Sequence, residues 1–523
     1  MPLTVTRRDG VFLLIASCLV TLYVMFAGGW GFPLDDSWIH QTYARNLAQN
    51  GEWAFLPGEP SAASTSPLYT VVLAIGYVLN IPFTVWAHVV GTLALTGTAM
   101  LGARLAEKIF PESKRGGWWV GLALLVTWHL IWAAASGMET MIFGALTLLL
   151  IYLAWRELDD AHADNTSALL LRGGVFGIAT ALTALARPEG VLLGGIAAVL
   201  MLIVRPQGSL KNVVIYGVGA ALGFAIMLSP YLWLNLQLTG GVLPNTANAK
   251  FEQHAVIIET FSYPERYWNL FIEIFKGGQI LLLPCLVAYG VFAWGQENRL
   301  RGLYFLLPLF WALAHIAVYA AQLPAWYQHG RYVLPTLPAF VTIGMIGLLY
   351  LQHRAPKRSK RSLQAVFARS GTIALGLATG LALLVFIFQG MLVYRTDVQI
   401  INTEMVAAAE YIEVNIPVDD LMAIHDIGAV GFFTPRPMID IAGLVSPEII
   451  PIVNESDALW AYMEDNGAQY LMAFPDQIPG DDPSDPRLCR IFITNSPFTA
   501  EVLGSTEMSM AIYRLAYDAT CEG

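Results

Sequence analysis

The feature that most constrains this chain is a series of apolar runs, each close to the thickness of a bilayer, repeated from Val11 to Tyr394. A spanning helix needs ~20 largely apolar residues. In hydrocarbon every backbone N–H and C=O must be paired within the protein, so such runs fold as helices. The candidate spans are 11–29, 83–105, 117–135, 140–157, 172–186, 189–204, 213–235, 271–294, 302–320, 333–351 and 372–394. Composition agrees: only 13% of residues are charged, against about 25% in an average soluble domain, and the mean hydropathy is +0.55. The expectation is a polytopic α-helical membrane protein of about eleven spans.

The stretch Pro67–Asn80 decides the topology. It holds 14 residues before the Asn80-Ile81-Pro82 break, short for a crossing. Counted as a span, it would put the basic loops 104–116 and 352–369 outside, against the tendency of Lys and Arg to stay in. Laid on the outer surface instead, it leaves 18 of the 29 basic residues inside. The first apolar run follows Arg7 and Arg8 and has no small-residue cleavage site, so it is expected to stay as a span. This puts the N-terminus in the cytoplasm and the C-terminal part outside a plasma membrane.

Beyond Tyr394 the texture changes. Residues 395–523 carry 21 Asp and Glu against 5 Lys and Arg. The acidic balance of the chain therefore lives in this tail and points to no nucleic-acid partner. Apolar stretches such as Leu421–Ile424, Met438–Ile441 and Tyr470–Phe474 alternate with turn-rich segments, the pattern of a small soluble α/β domain. The division expected is a membrane domain over 1–394, with a first outer loop at 30–82, and a soluble domain over 395–523. Cys489 and Cys521 both fall in the tail and can bridge on an oxidising face.

Ionisable residues at the outer face are the functional candidates. Asp35 and Asp36 close the first span, where a carboxylate can act as a general base or cap the helix that follows. Glu139 lies in the turn Gly137-Met138-Glu139-Thr140 and is the third candidate catalytic acid. Arg187, Lys250, His329 and Arg331 are the candidate cations for a phosphate, a role the guanidinium fork fits well. His40, Tyr43 and Arg45 follow on the helix after Asp36 and are candidate substrate contacts; Asp36, His40 and Tyr43 share one face. Asp36, His40 and Glu139 could also hold a divalent metal, but no ligand spacing requires one, and no cofactor is expected. Trp326, Tyr327 and Tyr332 read as an interfacial aromatic belt. Asp426 and Asp440 read as turn or cap residues.

These motifs in order resemble the GT-C class of membrane glycosyltransferases, and within it bacterial terminal arabinofuranosyltransferase-like proteins. The resemblance rests on Asp35-Asp36-Ser37-Trp38-Ile39, Tyr43-Ala44-Arg45-Asn46-Leu47-Ala48, Pro57-Gly58-Glu59, Ser64-Thr65-Ser66-Pro67-Leu68-Tyr69 and Ser136-Gly137-Met138-Glu139-Thr140. It continues through Ala186-Arg187-Pro188-Glu189-Gly190, Leu243-Pro244-Asn245-Thr246, Gly330-Arg331-Tyr332-Val333-Leu334-Pro335, His425-Asp426-Ile427-Gly428-Ala429 and Asp440-Ile441-Ala442-Gly443-Leu444. It implies transfer of a hexosyl or pentosyl group from a polyprenyl-phosphate donor to an extracytoplasmic glycan, lipid or protein. It also implies an outer-loop Asp as base, falling on Asp35 or Asp36 with the first favoured, and a surface helix in the first outer loop. Thr42 and Trp38 stand where that group often has Arg and Tyr, so the resemblance assigns no donor sugar. The alternatives from other classes are a polytopic transporter, another cell-envelope transferase or ligase, and a binding or scaffold protein. No repeated halves with midplane charges favour the transporter.

Overall fold

The computed structural model describes residues 5–158, 165–241, 246–356, 362–517 and 521. Leu243-Pro244-Asn245 of one quoted motif and residues 357–361 of an inner basic loop lie outside them.

The apolar runs fold as helices throughout. Six helices are long and apolar enough to cross a membrane: Arg7–Phe26, Phe83–Ile109, Thr166–Ala186, Leu210–Leu238, Tyr327–Arg354 and the long Leu363–Asn415. Three bent pairs pass the same test together, Gly116–Leu125 with Trp128–Ala135, Tyr263–Glu273 with Gly278–Trp294, and Arg299–Phe305 with Leu307–Gln322. The chain is a multi-pass membrane protein with the helix-rich architecture expected. The expected count of eleven requires the shorter helices Thr140–Arg156 and Gly190–Val204 to cross as well. Residues 67–78 form a helix of 12 residues that begins at Pro67, where proline's fixed φ suits a first helical turn. The expected span 271–294 is broken instead: its two arms meet at 107° around Gly277 and Gly278.

Small residues let the helices approach. Thr166–Ala186 lies against Leu210–Thr239 so closely that a Cβ on Gly177 would stand 1.9 Å from the Ala220 carbonyl oxygen, and one on Gly223 would stand 2.3 Å from that of Gly174. Without water to drive apolar association inside a bilayer, such backbone contact is what holds helices together.

The helix of the last expected span continues past Tyr394. Leu363–Ile401 runs through a π-helical turn, Asn402–Val406, into Ala407–Asn415, whose buried face packs into the tail. The tail is one five-stranded sheet with helices around it. Its strands are β1 (Met422–Ile424), β2 (Met438–Asp440), β3 (Tyr470–Ala473), β4 (Leu488–Ile493) and β5 (Ala511–Leu515), in the order β2-β1-β3-β5-β4. β1 runs parallel to both neighbours, and β5 antiparallel to β3 and β4. Cys489 on β4 is bridged to Cys521. Asp440 ends β2 with its carboxylate taking the N–H groups of Ala442 and Val445, the turn role expected of it.

Candidate active site

The site is built where three short motifs converge at one end of the helices. The chain leaves the first span through Gly28 and Gly29 and enters the helix Asp36–Asn50. Ser37 ties the start of that helix to the next motif, its hydroxyl donating to the Ser136 carbonyl at 2.8 Å. Gly137 makes the turn there with φ +71°, and a Cβ would stand 2.4 Å from the Phe32 ring, so glycine alone fits. Glu139 thereby starts the helix Thr140–Arg156 and joins Asp36 on the same cavity wall. Arg187 comes from the end of Thr166–Ala186, which stops because the residue before Pro188 is driven to extended backbone.

The third motif is strained. Gln328, His329 and Gly330 all have positive φ, at 51°, 60° and 65°. A non-glycine residue held there costs roughly 1–3 kcal/mol. The turn delivers Arg331, 7% exposed, into the cavity. His329 serves this turn rather than the cavity: its Nε2 lies 2.8 Å from Asp397 Oδ2, which also accepts from the Trp132 indole. The structure therefore does not group His329 with Arg187, Lys250 and Arg331 on the cavity wall.

A cavity of about 430 Å³ results, lined by Asp36, Glu139, Arg187, Lys250, Arg331 and Tyr332 together with Thr65, Met138, Glu189, Phe251, Tyr319 and Leu323. Arg331 Nη2 lies 2.7 Å and Lys250 Nζ 3.4 Å from Asp36 Oδ2. Both cations also donate to the Tyr332 hydroxyl, at 2.8 and 2.9 Å. Burial raises the Asp36 carboxyl, but Arg331, Lys250 and His40 outweigh it and hold it well below the usual carboxylate range. Burial likewise lowers the Lys250 ammonium, and Asp36 more than reverses that. Asp36 and the two cations beside it thus favour one another's charged forms.

Beside them Glu139, 3% exposed, is enclosed by partners. Arg187 donates to its Oε1 at 3.1 Å, and His40 Nε2 stands 3.3 Å from Oε2. Arg187 also donates to the Tyr319 hydroxyl at 2.8 Å and approaches Glu189 at 3.7 Å. Two carboxylates and a phenol already occupy that guanidinium. Among the described residues no three His, Cys, Asp or Glu side chains are grouped to hold a metal, so Asp36, His40 and Glu139 do not form such a set.

The remaining expected contacts point elsewhere. Tyr43 is buried with its hydroxyl on Ser61 and the Ala63 N–H. Arg45 donates to the carbonyls of Phe432 and Gly431 in the tail, at 2.7 and 3.3 Å. Asp35, favoured as the base, faces away from the cavity: its two oxygens accept the N–H groups of Gly428 and Ala429, at 2.6 and 2.8 Å. It does act as a cap, but on a tail helix nearly four hundred residues away, and it makes no cap bond to the helix that follows it. Tyr332, read as interfacial, is instead buried between the two cations. Its place beside Arg331 in one motif was the available signal. Glu189 was signalled by its place two residues after Arg187 in one quoted motif, whereas Tyr319 had no signal beyond lying at a span end.

Comparison with known proteins places this geometry. Over 98% of its length the chain superposes on 99% of ArnT from Cupriavidus metallidurans bound to undecaprenyl phosphate, with a TM-score of 0.60 at 14% identity. It also superposes on the Archaeoglobus fulgidus oligosaccharyltransferase, covering 92% of this chain and 73% of that one, with a TM-score of 0.60 at 12% identity. The fold is that of the GT-C glycosyltransferases. A terminal β-(1→2)-arabinofuranosyltransferase of Corynebacterium glutamicum is 27% identical over 346 residues, 61% of this chain. That alignment spans 48% of the relative's length. Residues 392–513 match the model of a domain of unknown function, DUF8728. The GT-C fold, with both similar solved proteins and the sequence relative being glycosyltransferases, agrees with the class the motifs resembled.

Proposed function

We propose that the protein transfers a hexosyl or pentosyl group from a polyprenyl-phosphate donor to a glycan, lipid or protein acceptor outside the plasma membrane. The observation that carries this reading is a single cavity holding Asp36 against Arg331 and Lys250. A sugar phosphodiester leaving as a phosphate monoester gains negative charge, and two buried cations offset it where water screens little. Asp36 takes the proton of the acceptor hydroxyl as that oxygen attacks the anomeric carbon. One displacement inverts that centre.

The resting ion pairs fit this chemistry. Without substrate, each buried charge needs a counter-charge, since an unpaired one costs several kcal/mol. A donor phosphate competes for the Arg331 and Lys250 donors and so frees Asp36 to accept a proton. Glu139 takes a supporting role, holding Arg187 and His40 in place. Phe251, Val318 and Leu323 give the cavity an apolar side, suited to the first isoprene units of a donor whose tail stays among membrane lipids.

The measurement is transfer of radiolabel from a polyprenyl-phosphate sugar pool in membranes containing equal amounts of each variant. Asp36→Asn is nearly isosteric, and losing a general base lowers the rate by about 10²–10⁴-fold. Near-normal transfer would sink the mechanism. The orientation proposed, with the N-terminus cytoplasmic and the tail outside, has its own check. A membrane-impermeant thiol reagent labels a cysteine at Ser484 and spares one at Ser359; the reverse pattern overturns it.

A further inference from the structure

Two of the tail's contacts with the rest of the chain lie behind residues of the cavity. At the first, Asp35 caps the helix Ile427–Phe433 as described, while Arg45 holds the carbonyls at its other end. An acid at a helix N-terminus and a base at its C-terminus both match the helix dipole. The two come from one element, Asp36–Asn50 with its preceding residue, almost three turns apart, so the tail helix is held end to end. Trp38 fills the middle, its ring 5.1 Å from that of Phe432 and 4.8 Å from that of Phe433.

The tail helix is arranged to receive an outside acid. Its own N-cap residue, Asp426, makes no cap bond. The Asp426 carboxylate is instead turned to the Gln477 amide at 2.9 Å and toward His425 at 3.5 Å. Gly428 leaves room for the visitor: a Cβ there would stand 2.2 Å from the Asp35 carbonyl oxygen and 2.6 Å from Oδ2.

The second grip falls on Thr246–Gln253, which carries Lys250. Gln253 donates to the Ala442 carbonyl at 3.0 Å, and Asn454 donates to the Glu252 carbonyl at 2.7 Å. Leu444, from the same tail turn as Ala442, reaches a small space beside Asp36, His40 and Lys250. One soluble domain therefore backs both the carboxylate and one of its cations.

We infer that Asp35 is a positioning residue: its carboxylate latches the tail helix Ile427–Phe433 and thereby sets the direction of the adjacent Asp36. The inference rests on the reading of Asp36 as the base. Asp35 touches no reacting atom. It fixes the backbone from which Asp36 projects, and a misplacement of about 1 Å at a reacting group can cost 10²-fold in rate.

Full-length protein in lipid nanodiscs provides the test, with three variants. Asp35→Asn keeps the shape but replaces one acceptor oxygen with an NH₂. Gly428→Ala pushes on the same contact from the tail side, away from the cavity. Asp36→Asn is the control for the chemistry. Amide hydrogen exchange of the 427–433 segment reads the latch, and transfer reads its consequence. Both latch variants speed exchange there, roughly tenfold, as expected when a buried hydrogen bond is lost. Both lower kcat by roughly 10–100-fold, while retention of undecaprenyl phosphate, measured by native mass spectrometry, stays near wild type. The double variant is no slower than the worse single one, because both break a single contact. Unchanged exchange in Asp35→Asn overturns the latch. Faster exchange with wild-type kcat overturns positioning. A kcat loss in Asp35→Asn equal to that of Asp36→Asn, with exchange unaltered, makes Asp35 a reacting group. Asp36→Asn that still turns over refutes the reading of Asp36 alone, and leaves the exchange result standing.

Discussion

Asp35 and Asp36 are neighbours in the chain and belong to different parts of the molecule. Asp36 meets a guanidinium and an ammonium in a half-buried cavity. Asp35 meets two backbone N–H groups of the C-terminal tail. At the start of a helix successive side chains leave about 100° apart, enough to send one carboxylate to the cavity and the other to the domain behind it. A pair of acids in a sequence is therefore two positions, and the partner of each decides what it does. A carboxylate against two cations sits where charge can be traded with a substrate. One against helix N–H groups stabilises structure with no mobile charge to trade.

The largest effect expected separates the two. Asp36→Asn and Asp35→Asn make the same chemical change one residue apart. A lost base corresponds to about 3–5 kcal/mol of barrier, whereas a weakened cap corresponds to about 1 kcal/mol of local stability. We expect the Asp36 variant to be the slower by at least about tenfold under identical assay. The reverse order would exchange their roles.

The cation side gives the next contrast. Arg331→Lys keeps the charge and loses the planar fork that reaches Asp36 and Tyr332 together. A hydrogen bond between charged groups contributes about 1.5–3 kcal/mol, so turnover falls by about 10–100-fold. Arg331→Ala adds a pH signature. Asp36 acts as a base only when ionised, so the acid limb of kcat/KM follows its pKa, held low by Arg331 and Lys250. Removing Arg331 leaves burial, which raises that pKa, less opposed. The acid limb then moves to higher pH. An unmoved limb would show that another group titrates there.

Much of this architecture was legible in the sequence because hydrocarbon permits so few backbone solutions. The apolar runs became helices near their expected bounds, and Pro67–Asn80, set apart for its shortness and for charge bias, holds a helix of 12 residues. The site was legible at the level of motifs: Asp36, Glu139, Arg187, Lys250 and Arg331 do line one cavity. What sequence could not supply was the direction of each side chain. Asp35 found its partners at Gly428 and Ala429, and no local pattern encodes a contact so distant. His329 sits in a turn of positive φ beside Asp397, a conformation its neighbours Gln328 and Gly330 do not announce. Tyr332 was read by composition as a membrane-interface aromatic, yet it accepts from both cations. The break at Gly277 and Gly278 falls among Glu273, Lys276 and Gln279, polar residues that the reading of 271–294 as one span passed over.

The smallest effect expected lies across the tail sheet. The latch joins the tail near β1 and β2, where the helix Ile427–Phe433 connects the two strands. The Cys489–Cys521 bridge is anchored on β4, the opposite edge. Neighbouring strands stand about 4.8 Å apart, so four strand spacings put about 19 Å between the two edges. Residues that far apart with no shared partners contribute to stability almost independently. A bridge closing a loop with a sequence separation of 32 residues is worth about 3–4 kcal/mol in the chain-entropy model. Cys489→Ser with Cys521→Ser should therefore lower the unfolding temperature of the tail. Transfer measured well below that temperature should stay within about twofold of wild type, and exchange over 427–433 should not change. Should the double serine variant instead slow transfer as much as Asp35→Asn does, the sheet would be transmitting strain from edge to edge. The tail would then position Asp36 as one rigid body rather than through a local latch.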